Sequence, residues 1–597
     1  MSEISTAGHA IGRPGLSMTG RRVLFGALAV LTTLAMLWLM LVTLSPGGFS
    51  AADIAILVLF GFTLPWLVIG FWNAAIGYLL MRFSADFESA VTPAAASVRG
   101  DEPITASTAI VVCVRNEMPD RVIRNLGTAI EGLLAADAGD AFHVYVLSDT
   151  SEEAVAQAEE KGFGALAEQY RGRMPVTYRR RTANTGFKAG NIRDFCERWG
   201  AQHQFMLVLD TDSFMTAPAM MRLVRIMQAN PMLGILQSLV VGLPSTSAFA
   251  RIFQFGMRLG MRSYTTGSAW WQGDCGPYWG HNAIIRIAPF VAHCRLPEMP
   301  KGSLLGDHVL SHDQIEATLM RRAGYEVRVL PREDGSWEEN PPTLIEFIRR
   351  DLRWCQGNMQ YVNFLNLPGL KPVSRYQLVF AILMFIGSPA WIGLLLLGTA
   401  LVAGAADLRD EISVWPGLAL YLIVLVMWMS PKLATILHVL PDARARAAFG
   451  GMRLFALSIA CEAVFFILLM PIMWFRHTLF LIGLLFGRQI GWVGQVRDDH
   501  SVPWPLAARA LWPQTLMGVA VIAILAATHP AAIIFAFFIA GGLALSIPLA
   551  ALTSSPQVGR WLTGLGIGCL PEESAPPTEL VRLGLPALAL QPGGRAC

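Results

Sequence analysis

Apolar residues fall along this chain in two rhythms. Seven long apolar runs, Val23 to Leu44, Ile54 to Leu80, Tyr376 to Ala406, Val414 to Ser430, Leu454 to Phe475, Leu511 to Thr528 and Ala531 to Leu552, come close to or exceed the roughly 20 residues that cross a bilayer. A shorter run, Leu479 to Phe486, reads as the second arm of a hairpin closed near Pro471 or as an interfacial helix, so seven or eight spans are expected. Between Met81 and Arg375 the rhythm changes. "TAIVVCVRNE" (108–117), "FHVYVLSDT" (142–150), "FMLVLDTD" (205–212) and "LGILQSLV" (233–240) are short aliphatic runs suited to strands, with helical stretches such as Ser151 to Gly162 and Ala217 to Ala229 between them. That alternation predicts βαβ units and a mostly parallel sheet. The expected fold is an α/β domain (83–375) inserted into an α-helical membrane protein, between two spans (23–82) and five or six later ones with interface helices (376–552).

Composition agrees with a membrane protein. Hydrophobic residues make up 54% and charged ones 15%, the mean hydropathy is +0.47, and soluble domains carry about a quarter charged residues. Arg13, Arg21 and Arg22 before the first span, Lys371 and Arg375 before the third, and Arg444, Arg446 and Arg453 after the fourth put these segments inside. The acidic loop Asp407 to Glu411 then lies outside. Residues 1–22, the large domain and the tail 553–597 are expected in the cytoplasm, an even count of eight being favoured. The first run is too long for the apolar region of a cleavable signal. The net charge of +3 says little about partners, and no nucleic acid is expected. The eight cysteines form no C-x-x-C pair or zinc spacing. The tail after Ser555 reads as weakly structured.

Chemistry gathers where strands end, which is where open α/β sheets bind ligands. Asp149 closes one strand, and Asp210 with Asp212 closes another. A lone Asp there is commonly a helix cap, whereas two at i and i+2 can converge on a hard cation such as Mg²⁺ on a diphosphate. "YRRRTANTGFKAGN" (178–191) sets Arg179 to Arg181, Lys188 and a Gly190-Asn191 turn before a helix expected near Ile192, a phosphate-binding arrangement or a solvated basic face. "WQGDCGPYWGHNAIIR" (271–286) offers aromatic faces for a sugar together with His281. "LSHDQIEATLMRRAGY" (310–325) opens a helix with Asp313 in its first turn, a cap or a rigidly held base. "FIRRDLRWCQGNMQY" (347–361) is an interface helix bearing Arg353 and Trp354.

The order Asp149, D-x-D at 210–212, x-x-D at 311–313 and R-W at 353–354 resembles the processive family 2 glycosyltransferases, the cellulose synthase and hyaluronan synthase group. "ILQS", "YWGHNAIIR", "LSHDQIEATLMRRAGY" and "RRDLRWCQGN" are similar to the glucosyltransferases of osmoregulated periplasmic glucan synthesis in Gram-negative bacteria, densely over 105–365 and on through "GWVGQVRDDHSVPW" (491–504). This resemblance implies a glycosyltransferase-A, Rossmann-like domain of an inner-membrane enzyme that polymerises glucose from UDP-glucose onto a growing glucan. It implies that Asp149 binds uridine with Arg115, Asn116 and Glu117, and that Lys188, Asp210, Arg350 and Arg353 hold the nucleotide sugar. Asp210 and Asp212 would bind Mg²⁺ or Mn²⁺, and Asp313 would be the base. Tyr278, Trp279, Gly280, His281, Asn282 and Trp354 would face the acceptor, with 488–505 a gating-loop-like segment. Ser311-His312 stands where the wider group has T-E, and Arg350 where it has Q. An acyl carrier protein and a periplasmic glucan-processing protein are the partners it implies, besides the bilayer. Two other readings stay open: a non-processive transferase loading a sugar onto a polyprenyl phosphate, and a nucleotide-sensing transporter.

Overall fold

The computed structural model describes residues 16–490 and 497–584. Its sheet has seven strands in the order β3-β2-β1-β4-β8-β6-β9: β1 Thr108–Val114, β2 Phe142–Ser148, β3 Val176–Arg180, β4 Phe205–Leu209, β6 Leu233–Ser238, β8 Ala283–Arg286 and β9 Glu326–Leu330. All neighbours are parallel except β8, which runs against both β4 and β6. A smaller sheet orders β5 Ser213–Met215, β10 Ser336–Glu338 and β7 Val241–Gly242 as β5-β10-β7.

Near-continuous apolar strands follow from burial on both faces. In β1, Ile110, Val112 and Val114 enter one core while Ala109 and Val111 enter the other, as the two-residue period of a strand dictates. The four expected strands all form, each ending two or three residues before the quoted run does.

One helix of this domain was not among the stretches read from the sequence. Ala248–Gln272 lies against the membrane bundle, and glycines let the backbones close. A Cβ on Gly267 would sit 1.9 Å from the carbonyl oxygen of Asn73, and one on Gly77 1.9 Å from that of Ser263. The same helix meets Phe25 through Trp271 and Phe465 through Phe249. Arg22 bonds the carbonyls of Trp271 and Gln272. The domain is therefore bolted to the bundle along a whole helix.

Among the described residues six helices are long and apolar enough to span a membrane: Met18–Thr43, Ala51–Phe83, Pro372–Gly404, Val414–Val439, Met452–Leu485 and Trp504–Thr528, with Pro530–Ala544 and Ser546–Thr553 forming a pair bent by 54°. The run Leu479 to Phe486 is corrected: up to Leu485 it continues the Met452–Leu485 helix through Pro471 and is neither a separate hairpin arm nor an interfacial helix. The favoured count of eight falls to six, or seven with the bent pair.

Up to Gly584 the tail is a second correction, its residues 585–597 lying outside the described ones. Pro556–Gly564, Pro571–Ser574 and Thr578–Arg582 are helical, Glu573 pairs with Arg251 where both side chains are 1% exposed, and Leu580 and Leu583 enter the core beside Leu126 and Ala129. Leu562 and Ile567 are buried as well, against both the domain and the bundle.

Candidate active site

Strand ends set the frame. Asp149 follows β2, and its N–H donates to the carbonyl of Val114 at 2.9 Å, which fixes it at the carboxyl edge of the sheet. Asp210 and Asp212 flank the turn from β4 into β5, where Ser213 N–H returns to the Asp210 carbonyl at 3.1 Å. Asp313 is the first residue of the helix Asp313–Arg322, so its carboxylate stands at the positive end of the helix dipole. Arg350, Arg353 and Trp354 come from the helix Leu344–Met359, which runs to the foot of the bundle.

These elements line one cavity. Its walls include Arg115, Glu117, Asp149, Lys188, Asp210 and Asp212, and also Trp279, Gly280, His281, Asp313, Arg350, Arg353 and Trp354. Three expected residues lie outside it. Asn116 turns away, its side-chain oxygen accepting from the N–H groups of Ser151 and Glu152. Tyr278 is 1% exposed within the core under the sheet, and Asn282 is fully buried, donating to Ser336 and to the Trp337 carbonyl. The loop bends at Gly280 and at Asn282, whose φ are both positive, and Tyr278 and Asn282 face inward.

The basic stretch is also rearranged. Its helix begins at Phe187, not near Ile192, so Gly190 and Asn191 are helical and no turn forms there. Of its three arginines only Arg181 reaches an acid of the site, gripping Asp149 with Nε and Nη2 at 2.7 Å each. Arg179 is committed to Asn191 and Asp194, and Arg180 to Glu153. Lys188, in the first turn, pairs with Asp210 and donates to the Gly280 carbonyl at 2.8 Å. Gly280 adopts a φ of +85° there. A Cβ on it would lie 3.5 Å from that of Asp313, so the lysine, the D-x-D and the expected base adjoin.

Charge is balanced tightly. Burial opposes the ionised form of Asp210, but Lys188, His281 and Arg497 together hold its carboxyl below the usual range; burial also opposes the Lys188 ammonium, which Asp210, Cys113 and Asp313 together push up. Glu338, on β10, was not foreseen: it lines the cavity, burial raises its carboxyl, and His281 opposes that from 3.5 Å. His312 bonds Glu316 at 2.9 Å. Burial pulls its imidazole down, and Glu316 more than restores it. Burial and then Arg497 bring Arg353 down to about 10. Arg497 pairs with Asp212 and lies 3.5 Å from Glu117. Of the gating-loop-like segment, residues 491–496 lie outside the described residues, while Ile490 and Arg497 line the cavity.

The D-x-D suits a divalent ion. Asp212 is 7% exposed and lines the cavity, and its buried Oδ1 has no hydrogen-bond partner. No cluster of three or more His, Cys, Asp or Glu is assembled for a metal among the described residues. One or two carboxylates completed by substrate phosphates is how Mg²⁺ is commonly held.

Comparison with known proteins gives two family matches, glycosyl transferase family group 2 over residues 205–544 and glycosyl transferase family 2 over 109–292. The chain is 35% identical to the glucans biosynthesis glucosyltransferase H of Xanthomonas euvesicatoria over 95% of its own length and 89% of that protein. It is 35% identical to the protein of the same name from Pseudomonas putida over 89% of its length and 63% of that protein. A mannosyltransferase of Pyrobaculum calidifontis, solved with GDP-Man and Mn²⁺, overlays at a TM-score of 0.38 with 16% identity, over 61% of this chain and 98% of that one.

Proposed function

Since the chain belongs to glycosyl transferase family 2, in the branch of the glucans biosynthesis glucosyltransferases H, we propose that it polymerises glucose from UDP-glucose into a β-glucan at the inner membrane. The observation that carries this reading is the convergence of Asp149, Asp210, Asp212 and Asp313 on one cavity that Lys188, Arg353 and Trp354 also line. Arg115 and Asp149, with Arg181 steadying the latter, receive the nucleoside end. Lys188, Arg350 and Arg353 neutralise the diphosphate.

Asp313 takes the proton of the acceptor hydroxyl as that oxygen attacks the anomeric carbon in line. A single displacement inverts the donor's α linkage to β and needs no second carboxylate nucleophile. A divalent ion at Asp212 and Asp210, Mg²⁺ or Mn²⁺, supplies charge stabilisation for the departing UDP when bound. The catalytic domain is cytoplasmic in this reading, with Arg21 and Arg22 on its face of the membrane. Trp354, 48% exposed at the foot of the bundle, stacks the acceptor sugar at the entry of a path through the later helices. Polymerisation and export are then one process, which an enzyme loading single sugars onto a polyprenyl phosphate has no use for.

Purified Asp313→Asn is expected to lose UDP release from UDP-glucose by about 100-fold or more, the scale general-base catalysis contributes, while binding UDP as wild type does. Retained turnover in that variant removes the assignment. Sealed vesicles test export separately: polymer found wholly on the donor side contradicts it.

A further inference from the structure

One cation of the site comes from outside the sheet and its helices. Arg497 follows the membrane helix Met452–Leu485, yet its guanidinium pairs with Asp212 and lies 3.5 Å from Glu117, with its side chain only 16% exposed. Its neighbours hold it there: Asp498 pairs with Arg121 at 2.8 Å, Arg121 pairs with Glu339 at 3.0 Å, and Asp499 accepts from Thr246. Burial opposes the charge of Arg497, and Asp212, Glu117 and Glu339 more than offset it. Asp212 is left lopsided, with Oδ2 taken by the arginine and Oδ1 without a partner. Lys188 meanwhile covers Asp210. Both acids of the D-x-D thus carry a cation of the protein itself.

We infer that Arg497 and the divalent ion compete for Asp212, so that the metal binds weakly alone and tightly only with a nucleoside diphosphate. The inference rests on reading the D-x-D as the metal site. Two cations on one secluded carboxylate repel strongly, because little water screens them. A diphosphate changes the balance by giving the displaced guanidinium a bidentate partner of its own. Metal, nucleotide and the placement of Arg497 are then coupled, since each favours the arrangement the others need.

Mn²⁺ binding to the full chain in lipid nanodiscs, followed by the electron paramagnetic resonance of the free ion, tests this with and without UDP. Without UDP, Arg497→Gln is expected to bind Mn²⁺ at least about tenfold tighter than wild type, about 1.4 kcal/mol. Arg497→Lys, which keeps the charge but loses the fork, should stay within about threefold of wild type. UDP should shrink the gap between wild type and Arg497→Gln. Arg497→Met carries the same expectation if the Gln variant does not fold. Equal affinity in wild type and both uncharged variants, with Mn²⁺ lost in Asp212→Asn, overturns the competition and leaves the metal site standing. Mn²⁺ bound equally by Asp212→Asn and wild type overturns the metal reading and the inference together.

Discussion

Arg181 holds Asp149 by both carboxylate oxygens, at a position only 5% exposed. Arg181→Ala leaves that carboxylate buried and unpaired, a loss of about 3–5 kcal/mol, measured as a lower denaturation midpoint together with weaker UDP binding. Arg181→Lys should recover only part, because an ammonium cannot grip both oxygens. At this scale the acids were legible: Asp149, Asp210, Asp212 and Asp313 each end a strand or start a helix, and backbone geometry sends such residues to the sheet edge. Tyr278 and Asn282 were misplaced because the sequence shows which residues share a loop, not which way each faces. Glu338 gave no signal, being one acid in the polar stretch "SWEEN", and only the pairing of β10 with β5 and β7 brings it to the cavity. Arg181 is the member of the basic run aimed at Asp149 because strand alternation turns Arg180 the other way.

Helix Ala248–Gln272 carries the mechanical connection between domain and membrane. Gly267→Ala puts a methyl group into the Asn73 backbone, so loss of at least about 1–3 kcal/mol is expected, visible as poor recovery of folded protein. Gly26→Ala, with open space around it, is the matching control and should be neutral. At the opposite edge of the sheet, His143, Tyr145 and His203 form a hydrogen-bonded chain. Burial and then His203 bring the His143 imidazole down from 6.5 to about 4. Between these values the unfolded chain holds a proton that the folded chain refuses, so stability is full above about 6.5, falls as pH drops toward about 4, and levels off below. Thermal melts across that window should show a slope that His143→Gln flattens. The strands were readable as elements from their aliphatic runs, whereas this helix buries Arg251, Gln254 and Arg258 along with its apolar residues, and which partners cover them is a matter of long-range packing.

Across the whole molecule, the chain leaves the bundle and returns to the catalytic domain. The tail puts Glu573 on Arg251 and Glu572 on Arg258 and Trp337, and Trp337 adjoins Glu338 of the cavity. Truncation after Ser555 removes Glu573 and the Ile567 carbonyl from Arg251 and takes Leu580 and Leu583 out of the core. The shortened chain is expected to unfold at lower denaturant and to lose transferase activity, and full activity in it would show the tail dispensable. The division into two spans, a domain and later spans was plain from hydropathy, since crossing a bilayer demands long apolar stretches. How those helices and the tail meet the domain depends on long-range packing that no local pattern records. The most direct measurement is a structure of the full chain with UDP and Mn²⁺. A single cation at the D-x-D beside the diphosphate, with the uracil beside Asp149 and Arg115 and the opposite end open toward Asp313 and Trp354, is the predicted result. Nucleotide bound away from the D-x-D, or a cation held nowhere near Asp212, would contradict it.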